Sequence, residues 1–171
     1  VQPAPVPLIG LSRTNLAIQA LAGTNAGSVG FEVFNAGNGS LGYQLVPQGA
    51  WLSVSPTNGS SEFPADTRSH LVSFNTAGLP PGNYSGSIQV LAPGAGNAPV
   101  TLPVSLEVIP VIPQIGLSVP SLTVQSLVGT NASASGFNVF NAGNGTLNYT
   151  LTPQAAWLSV ASQSYSSIGY G

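Results

Sequence analysis

The chain has 171 residues, room for one ordinary domain or two small ones, and 4% of them are charged against about 25% in average soluble domains. Its basic residues are Arg13 and Arg68, too few to neutralise a phosphate backbone or an anionic lipid surface, so nucleic-acid binding is excluded. There is no cysteine, which removes disulfides, zinc–thiolate sites and thiol catalysis, and no cofactor is implied.

The chain opens at Val1 with neither an initiator methionine nor a basic-then-apolar leader, as expected for a processed product or a piece of something longer. Residues 1–8 carry prolines at 3, 5 and 7 and read as an extended linker. From residue 9 onward, short segments with period-two alternation are separated by glycine, proline and asparagine, and helical three-four spacing appears nowhere. Strands are expected at Leu16 to Leu21, Ser28 to Phe34, Ser40 to Val46, Trp51 to Val54, Ser69 to Asn75, Tyr84 to Leu91 and Val100 to Val108. That count, within residues 9–109, is the strand number of an antiparallel immunoglobulin-like β-sandwich.

Two turns have a chemical signature. Asn38-Gly39 lies between strand-like runs and supplies the positive backbone angles of a tight hairpin turn. Leu79-Pro80-Pro81-Gly82-Asn83-Tyr84 has the form of the corner at which a tyrosine hydroxyl bonds back to the backbone. Trp51 is expected to plug one end of the core.

Residues 110–114 form a second proline-containing linker, and residues 115–171 then repeat the first domain at an offset of 106. Ile9-Gly10-Leu11-Ser12 falls on Ile115-Gly116-Leu117-Ser118, Phe34-Asn35-Ala36-Gly37-Asn38-Gly39 on Phe140-Asn141-Ala142-Gly143-Asn144-Gly145, and Trp51-Leu52-Ser53-Val54 on Trp157-Leu158-Ser159-Val160. About two-thirds of the positions in this window are identical, and so long a period marks a tandem of whole domains rather than a solenoid. The last clear match is Val160; Tyr165-Ser166-Ser167-Ile168 beyond it faintly echoes Tyr84-Ser85-Gly86-Ser87-Ile88. The second copy is thus expected to be an incomplete sandwich, with Trp157 placed like Trp51. The apolar run from Val108 to Val119 is interrupted by Pro110 and Pro113 and is shorter than the roughly 18–20 residues of a membrane span, so no membrane insertion is expected.

Trp51-Leu52-Ser53-Val54-Ser55-Pro56-Thr57-Asn58-Gly59, Ser73-Phe74-Asn75-Thr76-Ala77-Gly78-Leu79 and Pro81-Gly82-Asn83-Tyr84-Ser85-Gly86 resemble the BACON-like family of bacterial immunoglobulin-like modules. The resemblance implies a module of a secreted or surface-anchored multidomain protein, extracellular or at the cell surface, with a carbohydrate- or mucin-binding role.

The ionisable groups are Arg13, Glu32, Glu62, Asp66, Arg68, His70 and Glu107, all in the first copy. Asp66 and His70, four apart among serines, invite a triad reading, but no glycine-x-serine-x-glycine elbow accompanies them. Glu62 and Asp66 could be read as a glycosidase pair or as calcium ligands, yet two acids in one serine-rich loop are ordinarily solvated. The sequence therefore does not predict an enzyme. Tyr43 and its counterpart Tyr149 could form a sugar-stacking platform. Asn38, Asn58, Asn83, Asn131, Asn144 and Asn148 each head an Asn-x-Ser/Thr sequon and are candidate glycosylation sites.

An incomplete sandwich leaves apolar residues bare and strand edges open. Phe137, Val139, Phe140, Trp157, Tyr165, Ile168 and Tyr170 are the residues expected at an assembly interface, at which missing sequence or a neighbouring copy supplies strands head to tail. The leading expectation is a filament or stalk subunit that associates with itself; a carbohydrate-binding or adhesin module that takes glycans is the alternative.

Overall fold

The computed structural model describes residues 4–161 and 164–169, and the chain divides after Pro110 into two compact units. The described residues contain strands and no helix. In the first unit the strands are β1 (Ile9–Leu11), β2 (Leu16–Leu21), β3 (Val29–Asn35), β4 (Leu41–Gln48), β5 (Leu52–Ser55), β6 (Asn58–Ser61), β7 (Thr67–Phe74), β8 (Gly82–Leu91) and β9 (Val100–Ile109). They form a sheet in the order β1-β3-β7-β5 and a second in the order β2-β9-β8-β4-β6.

Alternation explains most of this. In β9 every second residue, Leu102, Val104, Leu106 and Val108, is buried while the residues between face out, and β2 does the same with Leu16, Ile18 and Ala20. The inner faces of the two sheets close on one core that includes Phe31, Val33, Leu45, Val72 and Ile88. Trp51 is buried and stacks on Phe74, with ring centroids 6.1 Å apart. The Tyr84 hydroxyl donates to the Pro80 carbonyl at 2.8 Å, the corner expected from the sequence.

Three expectations need correction. First, β2 pairs with β9 in parallel, Leu16 opposite Val104 through Leu21 opposite Ile109, so the sandwich is not wholly antiparallel. The chain crosses from one sheet to the other between β1 and β2 and arrives running alongside β9. Second, Asn38-Gly39 does not make a hairpin, because β3 and β4 belong to different sheets and only Gly39 of the two has a positive φ, 79°. The crossing is held instead by buried Asn35, whose Oδ1 accepts from the Leu8 and Gly37 amides and whose Nδ2 donates to the Gly39 carbonyl. Third, residues 6–8 are more than a linker. The Val6 and Leu8 carbonyls accept from the Asn38 and Ala36 amides, and the Pro7 carbonyl from Gly96.

The second unit has β10 (Ile115–Leu117) paired with β11 (Val139–Asn141), and β12 (Gly145–Thr150) paired with β13 (Ser164–Gly169). Asn141 repeats the Asn35 staple, its Oδ1 accepting from the Gln114 and Gly143 amides and its Nδ2 donating to the Gly145 carbonyl. The 112–114 stretch is therefore tied to the second unit as residues 6–8 are to the first.

Candidate interaction surface

The pairing of β12 with β13 fixes what the end of the chain is. Thr150 lies opposite Ser164 and Leu147 opposite Ser167, the register in which Gln44 lies opposite Asn58 and Leu41 opposite Ser61 once the 106-residue offset is applied. β13 is thus the counterpart of β6. The echo of Tyr84 to Ile88 in Tyr165 to Ile168 does not hold, because β8 pairs with a different stretch of β4, Gln44 to Gln48.

With both registers matched, the repeats can be compared side chain by side chain. Phe31 is 2% exposed and Phe137 37%; Leu16 is 2% and Leu122 45%; Trp51 is 8% and Trp157 78%. Val33 is fully buried and Val139 only half-buried. In the first unit Phe31 and Val33 point from β3, which pairs with β7, into the core, while Trp51 is covered by Phe74 and lies against Gly86 of β8. Among the described residues of the second unit no strand takes the place of β7, β8 or β9. Trp157 accordingly does not plug a core as Trp51 does.

Two of the expected interface residues face elsewhere. Phe140 is exposed and its counterpart Phe34 half-buried, because both lie on the outer side of the strand with the ring over a glycine, Gly116 and Gly10. Ile168 falls between the inward positions Ser167 and Gly169 and faces out, 73% exposed. Tyr165 is on the inner side, and Tyr170 lies outside the described residues.

The tyrosines expected to form a sugar platform behave differently in the two units. Tyr43 is buried in the core, its hydroxyl 2.7 Å from His70 Nε2, so it offers no face to a sugar. His70 Nδ1 lies 2.8 Å from the Pro56 carbonyl, which only accepts, so the Nδ1 proton is in place and Nε2 receives the Tyr43 hydroxyl. Burial pushes the Tyr43 phenol up to about 12, against an opposing pull from the Arg68 charge, and pushes the His70 imidazole below its usual value, opposed by its bond to Pro56. Asp66 takes no part in this pair. Its carboxylate accepts from the Glu62 amide and pairs with Arg68, which together hold it below the usual carboxylate range, so the triad arrangement is not formed. Among the described residues no group of acids and histidines could hold a metal ion.

Tyr149 stacks on Tyr165 across the β12–β13 pair, centroids 5.6 Å apart and planes 21° apart, beside an open depression lined by Asn148, Thr150, Ser164 and Ser166. Read from sequence, Tyr149 and Tyr165 take separate roles, because nothing local identifies the pairing partner of β12. Of the sequon asparagines, Asn38, Asn58, Asn83, Asn131 and Asn148 are exposed, whereas Asn144 is half-buried with its Oδ1 accepting from the Ile112 amide at 2.6 Å.

Two facing sheets joined by crossing connections, with a tyrosine corner, define an immunoglobulin-like β-sandwich module. The family model described as the viral BACON domain matches residues 8–106 and again 115–169, and the chain belongs to this family. A search of curated proteins finds no match. Similar solved structures include a protein of unknown function from Porphyromonas gingivalis W83 at 17% identity, covering 85% of this chain and 72% of that one with a TM-score of 0.50. The PapD-like domain 7 of human CEP192 is similar at 14% identity, 64% and 91% coverage and a TM-score of 0.50. The periplasmic chaperone SfaE shares 17% identity with a TM-score of 0.48; the match covers 61% of this chain and only 60% of the chaperone's length. At these identities the likeness to the first two is one of fold alone. No helix among the described residues is long and apolar enough to cross a membrane.

Proposed function

We propose that the chain is a non-enzymatic extracellular structural protein, a subunit of a surface filament or stalk whose second repeat is completed by β-strands from outside the described residues. The observation that carries this is the contrast between Trp51 and Trp157, Phe31 and Phe137, and Leu16 and Leu122, matched residues that are buried in one repeat and bare in the other. Open sheet edges are templates for strand addition, which would also cover an exposed inner face. A head-to-tail contact need not close on itself, and where it does not it generates a filament. A chain with 4% charged residues sets up little repulsion between packed copies. Electron microscopy with light scattering tests this: regular fibres support it, and a monodisperse monomer of 17.2 kDa overturns it.

A second reading, a carbohydrate-binding or adhesin module, is favoured by the Tyr149–Tyr165 pair and the hydroxyl and amide groups around it. Glycan-array binding that is lost in Tyr165→Ala would support it. Glycans on the exposed sequon asparagines would solvate a surface poor in charge, and intact-mass measurement of native material detects them.

A further inference from the structure

We propose that Asn38 is a site of spontaneous covalent modification, at which the Gly39 backbone nitrogen displaces ammonia from the side-chain amide, and that the fold withholds Asn58 and Asn144 from the same reaction. The inference stands apart from the filament and glycan readings above.

Asparagine is followed by glycine at Asn38, Asn58 and Asn144. Glycine puts no side chain beside the attacking nitrogen, so each pair is open to a ring closure whose rate depends on whether that nitrogen can reach Cγ. The three places differ in what holds these atoms. At Asn38 the flanking groups are tied, the Asn38 amide donating to the Val6 carbonyl at 3.0 Å and the Gly39 carbonyl accepting from Asn35 Nδ2 at 2.7 Å. The peptide link between them is not. Among the described residues neither its carbonyl, its N–H nor the Asn38 side chain makes a hydrogen bond, and Asn38 is exposed. The link can therefore turn between two fixed points and bring the Gly39 nitrogen onto Cγ. At Asn58 the nitrogen is engaged. The Leu45 amide donates to the Thr57 carbonyl, and bonded pairs recur at every second position of an antiparallel ladder, so Gly59 is bonded to Tyr43 opposite it. At Asn144 the side chain is pinned, its Oδ1 accepting from the Ile112 amide at 2.6 Å, and Gly145 already belongs to β12, opposite Gly169. Asn38 and Asn144 lie in the same string, Phe-Asn-Ala-Gly-Asn-Gly, so what separates them is structure.

In the reaction the Gly39 nitrogen gives its proton to a solvent base and bonds to Asn38 Cγ; the Cγ–Nδ2 bond breaks, and ammonia leaves with a proton from water. Water then opens the five-membered imide at either carbonyl. One product is an ordinary aspartyl residue; in the other the main chain runs through the former side-chain carbons and is longer by one atom. Water is the sole co-reactant. Either product adds one negative charge to a chain of formal net charge −2 and removes the Asn38 sequon. The longer product also changes the span between the groups held by Val6 and Asn35, at the crossing from β3 to β4.

The test ages the full chain at mildly alkaline pH, native and in concentrated urea, and follows each asparagine by proteolysis and tandem mass spectrometry. In the native chain Asn38 is expected to convert severalfold faster than Asn58 and Asn144, and in urea the three rates converge, since only the local sequence then acts. Release of ammonia from the native chain gives an independent readout, and its fast phase should vanish in Asn38→Gln, whose longer side chain does not form the five-membered ring. Conversion of Asn58 or Asn144 that matches or outruns Asn38 in the native chain overturns the inference. So does the same ranking in urea, which would trace the difference to sequence, and so does a native Asn38 that stays intact while the unfolded chain reacts. A fast phase that survives Asn38→Gln overturns it as well.

Discussion

The Tyr43 hydroxyl and His70 Nε2 lie 2.7 Å apart in the core of the first repeat, one from each sheet. The pair ties the sheets together, and burial favours the neutral imidazole there. Because burial depresses the His70 value in the folded state, the unfolded chain takes up a proton first as the pH falls. Stability of the first repeat is therefore full above pH about 6.5 and declines below it, until the folded-state value is passed. With no other histidine in the chain, denaturant unfolding between pH 7 and 5 is expected to show an uptake of at most one proton, abolished in His70→Gln.

The same pair predicts an alkaline response of opposite sign. Tyr43 is raised to about 12, so the unfolded chain ionises first as pH rises through 10, and stability is lost from there upward. An ultraviolet titration of the phenols should show one tyrosine lagging, and Tyr43→Phe should remove that step.

Asn35 is 1% exposed and makes three hydrogen bonds to the crossing loop and the entering segment. Asn35→Ala leaves those backbone groups without partners and is expected to cost about 2–3 kcal/mol. A urea midpoint that shifts by less than the equivalent of about 1 kcal/mol would show that water replaces the side chain.

The two tryptophans should separate in one experiment. Trp51→Ala is expected to destabilise the first repeat by about 3–5 kcal/mol, and Trp157→Ala to leave it within about 0.5 kcal/mol of the parent. Comparable losses from both would contradict the exposure of Trp157.

Ala65 holds a left-handed backbone, φ 64°, at the turn where its amide donates to the Asn35 carbonyl. Ala65→Gly relieves a conformation that costs an L-residue about 1–2 kcal/mol, offset in part by glycine's freedom when unfolded, for a net gain of about 0.5–1 kcal/mol. A thermal melt detects the gain.

Much of the sandwich is legible in the sequence because burial in it follows a period of two. Val100 to Val108 and Leu16 to Leu21 announce their inner faces in the order of their residues. Asn58–Ser61 does not, since three of its four residues are polar and the fourth is a glycine needed for Tyr43 to pass. The Asn38-Gly39 pair misleads because the same dipeptide serves a crossing between sheets once Asn35 is there to hold it. The parallel seam of β2 with β9 depends on which edge the chain reaches after β1, which no local pattern records. Trp157 and Trp51 share the string Trp-Leu-Ser-Val, so the local sequence does not separate them; what does is that no clear match to the first copy follows Val160. Tyr43 likewise looks available until Gly59 and His70 are brought beside it.

The parallel seam has a mechanical consequence. β2 is the first strand of its sheet and β9 the last of the domain, and they run side by side from Leu16 opposite Val104 to Leu21 opposite Ile109. Tension transmitted to Leu16 and Ile109, beyond the β1–β3 pairing, pulls these strands past each other along their length, so their hydrogen bonds are loaded together in shear. An antiparallel pair pulled from the same ends would unzip one bond at a time. The arrangement suits a module that must stay folded while the chain on either side of it is under load.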